Sequence, residues 1–309
     1  MLHEDAGPEA LALFRIAVFG VWSVVVLASP PLALAANVPR ELFSPPGVLG
    51  LLPDAAWEAL FSPAPLWALT GVILVLTLAA AAGLGPFGLI GPLAFGGILL
   101  FDGIQKGFGG YINHAQFGLL YAALLVAVSP AADALEFRLG TQSAPPTRPA
   151  AAYRFPLVGT GLLLALAYSL IGLYRAVMGG AEMFTGDALP TYMALRTVEY
   201  GPWQYEWTVT LLSVPAVVGA LKAGFAVTTI LEIFSPLALV WRYFRLLWLG
   251  VIVPFHLVTL VTMNIFFWEN LILLGLVFTG LLERASGWMG TWRDRPSGGG
   301  SGRAMSTLR

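Results

Sequence analysis

Between Gln116 and Pro130 the chain runs for fifteen residues, "QFGLLYAALLVAVSP", with almost nothing that needs water. Runs of this kind constrain the fold more than any other feature of the sequence. A helix needs about 20 predominantly apolar residues to cross about 30 Å of hydrocarbon. Eight stretches approach that length: 13–34, 66–83, 87–104, 115–131, 156–178, 222–241, 246–264 and 266–283. The expected fold is therefore an all-α integral membrane protein, a bundle of about eight transmembrane helices. Composition agrees. The chain is 58% hydrophobic and 11% charged, with a mean hydropathy of +0.80, whereas a soluble domain carries roughly 25% charged residues.

Several function classes fall away at once. Net charge is −1 and no basic stripe is present, so a nucleic-acid partner is not expected. Without cysteine there is no thiol catalysis, thiolate metal site or disulfide. A bound quinone stays open, because its redox chemistry belongs to the cofactor. "GLGPFG" at Gly83 to Gly88 matches a dinucleotide-binding spacing but falls in a turn between two apolar runs, with no strand before it. Three histidines without HExxH spacing argue against catalytic zinc, and no metal is expected. No GxSxG nucleophile elbow occurs.

The first run ends in "ALAAN", which could pass for a signal-peptidase site, but the residues before it, "MLHEDAGPEA", are acidic where a signal peptide is basic. A retained first span is expected. The segment 37–65 is Pro-rich and contains "DAAWEALF", an amphipathic piece suited to the interface. Segment 182–221 is the longest connection, with Trp203, Tyr205 and Trp207 suited to a headgroup belt. Residues 1–290 are expected to form the membrane domain and 291–309 a disordered tail. With the N-terminus inside, inner segments hold Arg138, Arg148, Arg154, Arg242, Arg245, Arg284, Arg293, Arg295, Arg303 and Arg309. Outer segments hold Arg40, Lys106, Arg175, Arg196 and Lys222. That asymmetry places both termini in the cytoplasm of a cell-membrane protein.

Ionisable groups inside a span cost about 2.5–3.5 kcal/mol on insertion scales and usually face protein. Arg15, Asp102, Arg175, Glu232 and His256 are such groups, with Asn264 and His114 at span ends. Arg15 is expected to snorkel to the inner interface, and Asp102 to pair with Lys106 at a solvated helix end. Glu232 fits an interhelical pair or a functional role equally. His256 and Asn264 are two turns apart and suggest a polar stripe along a lined cavity.

Four stretches together resemble the vitamin K-dependent gamma-carboxylase-like membrane domain, the HTTM family. They are "LALFRIAVFG", "INHAQFGLLYAALLVAVSPAAD", "AYSLIGLYRAVMGG" and "PFHLVTLVTMNIFFWENLIL". The likeness covers roughly residues 11–283. It implies an outward-facing pocket for a reduced quinone, with the family's Asn-His pair at Asn113 and His114 and its later histidine at His256. The position of the family's catalytic lysine, a neutral amine that deprotonates the hydroquinone, falls on Arg175, with Tyr174 before it. Arginine stays protonated and cannot be that base. It can clamp an anion or an oxygen. The chain also lacks the large soluble region of the carboxylase, so glutamate carboxylation is not expected.

Three functions stay open. The chain is a quinol- or lipid-modifying enzyme with His114, Arg175 and His256 at its centre, oxygenating a quinol such as menaquinol without carboxylation. Or it is a non-catalytic holder of a quinone or lipid for a membrane redox partner, with Asn113, Tyr174 and Asn264 helping to bind. Or it is a structural subunit whose polar residues fix helix packing. Arg175 points to binding, and the two histidines point to chemistry.

Overall fold

The computed structural model describes residues 3, 6–108, 116–135, 148–200 and 202–293. Among the described residues there is no strand. The helices are α1 (Pro8–Ala28), α2 (Asp54–Leu60), α3 (Pro63–Ala82), α4 (Phe87–Lys106), α5 (Phe117–Ala127), α6 (Ala150–Met178) and α7 (Ala188–Tyr200). After them come α8 (Pro202–Leu212), α9 (Pro215–Ile233), α10 (Leu237–Val240), α11 (Arg242–Met263), α12 (Trp268–Phe278) and α13 (Leu281–Arg293). Six of these, α1, α3, α4, α6, α9 and α11, are long and apolar enough to cross a membrane. α12 and α13, bent by 63° at Thr279–Gly280, together make a seventh candidate.

Three expected spans differ from the sequence reading, the run 266–283 by the bend between α12 and α13 and two others in length. The run 115–131 yields only an eleven-residue helix, α5, followed by turns to Leu135. The run expected at 222–241 starts earlier, at Pro215, and breaks after Ile233. Proline at the first helical position gives up an N–H that would be unsatisfied anyway, so Pro215 begins α9 at no cost. Pro236 has no N–H and disfavours helical backbone at the residue before it, so the helix stops there. The carbonyl of Glu232 is taken instead by the backbone N–H (3.0 Å) and hydroxyl (2.7 Å) of Ser235. At the chain's end, α13 continues through Arg293, past the expected boundary at 290, and 294–309 lie outside the described residues.

α1 is the hub, packed against α3, α5, α6 and α13. It buries Phe14, Val18, Phe19 and Trp22, and the Trp22 indole donates to the carbonyl of Leu119 at 3.2 Å. α6 is the second hub, touching α1, α5, α9 and α12. Outer faces are as apolar as inner ones: Val72, Val75 and Leu78 of α3 and Leu170 and Val177 of α6 all point outward. A helix apolar all round suits lipid rather than water. At the end of the bundle away from the N-terminus, α7 and α8 lie across α11 and close a small apolar cluster of Leu189, Met193 and Met263. There α2 buries Trp57 against Phe43, which also meets Phe61 and Phe108.

Arg15 does not snorkel. It is fully buried, and its guanidinium donates to the carbonyls of Ala81 (3.3 Å), Ala131 (2.7 Å) and Leu135 (2.8 Å). These carbonyls stand where α3 and the turns after α5 run out of intrahelical donors. One cation therefore ties three segments at the N-terminal end. Gly83 ends α3 with φ +67° and lies so close that an added Cβ would sit 2.8 Å from the Arg15 Nη1.

Replacing Arg15 by Met leaves those carbonyls without a donor, at about 1–3 kcal/mol for each one left unsatisfied. Arg15→Met should lower the unfolding temperature in detergent markedly, and Gly83→Ala should lower it less. Parent-like melting of Arg15→Met would contradict the role given to the guanidinium.

Candidate functional site

The far half of the bundle is organised where α9 stops against α6. Gly172 makes the approach possible: a Cβ there would meet Ile233 N at 2.8 Å, Glu232 Cβ at 2.9 Å and Thr229 O at 2.9 Å. Two serines fasten the junction. Ser169 donates to the carbonyl of Ile233 at 2.8 Å, and Ser235 donates to that of Ala165 at 2.6 Å. This leaves Glu232, in the last turn of α9, only 1% exposed. A carboxylate at the negative end of a helix dipole, away from water, is doubly disfavoured.

Arg175 answers it. Helical side chains lean toward the N-terminus of their own helix, so Arg175, in the last turn of α6, reaches back into the bundle. Its Nη1 donates to Glu232 Oε2. The guanidinium lies 5.4 Å from the ring centroids of both Phe225 and Phe255, and the side chain is 25% exposed. The cation expected to await an anion already holds one from the protein.

Tyr168 stands two turns before Arg175 on the same face of α6. Its buried hydroxyl is 2.9 Å from His256 Nε2. Trp248 meets the tyrosine ring edge-on at 5.4 Å, and Phe267 meets the imidazole edge-on at 5.7 Å. The Arg175–Glu232 pair lies within electrostatic reach of this dyad. Three buried polar atoms of α9 and α11 have no hydrogen-bond partner among the described residues: His256 Nδ1, Thr229 Oγ1 and Trp248 Nε1. Whichever imidazole nitrogen carries the proton, Nδ1 keeps an unused donor or lone pair.

Of the residues expected at a site, the fold brings Arg175 and His256 into one region. Tyr174, 66% exposed, points outward from α6 on another face. Asn264 does not extend a stripe from His256: α11 ends at Met263, and Asn264 is its exposed, left-handed cap with φ 50°. Asn113 and His114 lie outside the described residues. Glu232 proves to be the partner of Arg175. Tyr168 escaped the sequence reading, although its two-turn spacing from Arg175 was a usable signal.

A second polar group lies where α4, α5 and α12 meet. Lys106 pairs with Asp102 at 2.7 Å and lies 4.7 Å from the Phe117 ring centroid. Both partners are buried, so this is not the solvated helix end expected. Glu269, also buried, lies within electrostatic reach of Gln116 and Lys106. A cleft of about 570 Å³ opens elsewhere, at the N-terminal end, between Pro86, Phe87, Pro92, Val128, Asp133 and Arg148. It includes none of the residues expected at a site.

If the close α6–α9 approach builds the site, Gly172→Leu should separate the helices and lower thermal stability far more than Gly219→Leu, where an added Cβ meets open space. Equal losses would contradict the role of Gly172. Tyr168→Phe should cost about 1–3 kcal/mol by stripping His256 Nε2 of its partner, read from the same melts. Compared with family models, curated proteins and solved structures, the chain matches none.

Proposed function

We propose that the far half of this bundle holds the polar head of a hydrophobic ligand, a quinone, quinol or lipid, in an outward-facing pocket around Tyr168, Arg175, Glu232 and His256. The observation that carries this reading is the set of buried polar atoms left without partners on α9, which carries Glu232 of the ion pair, and on the neighbouring α11: Thr229 Oγ1, His256 Nδ1 and Trp248 Nε1. An unmet polar group in an apolar interior costs about 1–3 kcal/mol, and a ligand head group would meet several together. Apolar walls with a few convergent polar groups are what such a ligand requires. Resemblance to the HTTM membrane domain supports the same ligand class, with Arg175 at the lysine position. The engagement of Arg175 by Glu232 favours a second reading beside catalysis, in which the chain holds the quinone or lipid for a membrane redox partner.

In this reading the chain crosses a cell membrane eight times, with α5 and the bent α12–α13 pair as the two irregular crossings. The excess of arginine at the N-terminal end puts both termini in the cytoplasm and the Arg175 region on the outer side. Single cysteines are clean reporters here, since the chain has none. Gly300→Cys and Pro202→Cys should label from opposite faces of sealed vesicles. Labelling from the same face would sink the topology. Solvent extracts of the purified parent should contain a quinone or lipid near one per chain, and Arg175→Gln and His256→Ala should each retain much less. Equal retention by folded variants, or no retained ligand in the parent, would count against the pocket.

A further inference from the structure

We propose that the cleft at the N-terminal end of the bundle, between α4 and the turns after α5, seats the head group of a zwitterionic phospholipid of the phosphatidylethanolamine type, with Arg148 taking its phosphate and Asp133 its ammonium. This is a second site, at the opposite end from Arg175, and it does not depend on the ligand-binding reading above.

The cleft follows from the residues around it. Gly91 lets α4 meet the end of α5 closely, since a Cβ there would lie 3.0 Å from the carbonyl oxygen of Ala127. Past that contact α5 ends and the chain turns through Val128 to Leu135. Most of the lining is glycine, proline and alanine, Gly85, Pro86, Gly88, Pro92, Pro130 and Ala132 among them, with too little side chain to fill the gap. About 570 Å³ stays open, within the range of about 300–1,000 Å³ found for small-molecule sites. Phe87, only 6% exposed, closes the core side and meets Phe19 edge-on at 6.3 Å. The other side faces outward: Val128 of the lining is exposed, as are Leu89 and Leu93, next in sequence to Gly88 and Pro92. Such a cleft suits a molecule with a polar head at the end of the bundle and apolar chains along its flank, which is the shape of a membrane lipid.

Charge then selects the head group. Asp133 Oδ2 accepts from the Tyr153 hydroxyl at 2.8 Å and pairs with Arg148 Nε at 3.0 Å. Asp133 Oδ1 and both Arg148 Nη groups have no partner among the described residues. One wall of the cleft thus offers an unused guanidinium edge beside an unused carboxylate oxygen. The guanidinium edge matches phosphate in bidentate fashion, and the carboxylate oxygen accepts from an ammonium. A head group carrying both lets each charge meet its opposite, with signs alternating around the four groups. An anionic head group would bring its phosphate next to Asp133 with no cation of its own to offset the repulsion. A choline head group has the positive charge but no N–H to donate. Ethanolamine therefore ranks first.

The test titrates the delipidated full chain in detergent with short-chain phosphatidylethanolamine, phosphatidylcholine and phosphatidylglycerol, and with free phosphoethanolamine, and reads bound molecules by native mass spectrometry. The parent should bind the ethanolamine lipid at least about threefold more tightly than the other two, a discrimination within reach of a partly exposed ionic contact. It should bind free phosphoethanolamine more weakly than the lipid. Asp133→Asn keeps an acceptor for Tyr153 but removes the negative charge, so phosphatidylglycerol should move to first place. Arg148→Gln should weaken all three lipids. Gly88→Leu leaves both charges in place and puts a side chain where an added Cβ meets nothing within 4 Å, so it too should weaken all three. Equal binding of the three lipids by the parent, ethanolamine still first in Asp133→Asn, or parent-like binding by Arg148→Gln or Gly88→Leu would each overturn the proposal. Free phosphoethanolamine binding as tightly as the lipid would overturn the lipid as occupant.

Discussion

A carboxylate at the end of a helix inside an apolar bundle has no acceptable state without a cation, and much of the far half follows from meeting that demand. Glu232 is buried because α9 stops against α6 rather than at the surface. The stop is set by Pro236, the close approach by Gly172, and the loose carbonyls of Ile233 and Glu232 are taken by Ser169 and Ser235, the latter also donating to Ala165 in the middle of α6. Arg175 then turns inward from α6 and pairs with the carboxylate. Removing any of these pieces exposes the next to an unmet charge or an unmet carbonyl.

The opposite end uses the same physics without a carboxylate. Arg15 is fully buried with its guanidinium spread over the carbonyls of Ala81, Ala131 and Leu135. One arginine thus serves as a cap for chain segments that end inside the protein, and the other as a counterion.

The long apolar helices were legible because twenty apolar residues in a row have few alternatives, and α1, α3, α4, α6 and α11 stand close to where that pattern puts them. The irregular elements were not. A run such as 115–131 reports solvent preference, not where the backbone turns, so the short α5 and the break at Phe234–Pro236 were hidden within apolar sequence. Site residues divided similarly. Arg175, Glu232 and His256 stood out individually as ionisable groups in apolar runs, but pairing between them depends on helix contacts that no local spacing encodes. Asn264 misled because helical spacing was carried past the end of the helix, where the residue is a cap instead. Arg15 misled because a long side chain near a helix end can reach either the interface or the interior, and only the carbonyls of Ala131 and Leu135 decide between them.

Arg175 and Glu232 form one buried, mutually dependent unit. A double-mutant cycle on unfolding free energy, with Arg175→Gln, Glu232→Gln and the pair together, measures that dependence. Breaking a buried pair from one side costs about 3–5 kcal/mol, while removing both charges is far milder. The expected result is that either single variant is less stable than the double variant, with a coupling energy of about 3 kcal/mol. Losses that simply add, leaving the double variant the least stable of the three, would contradict it.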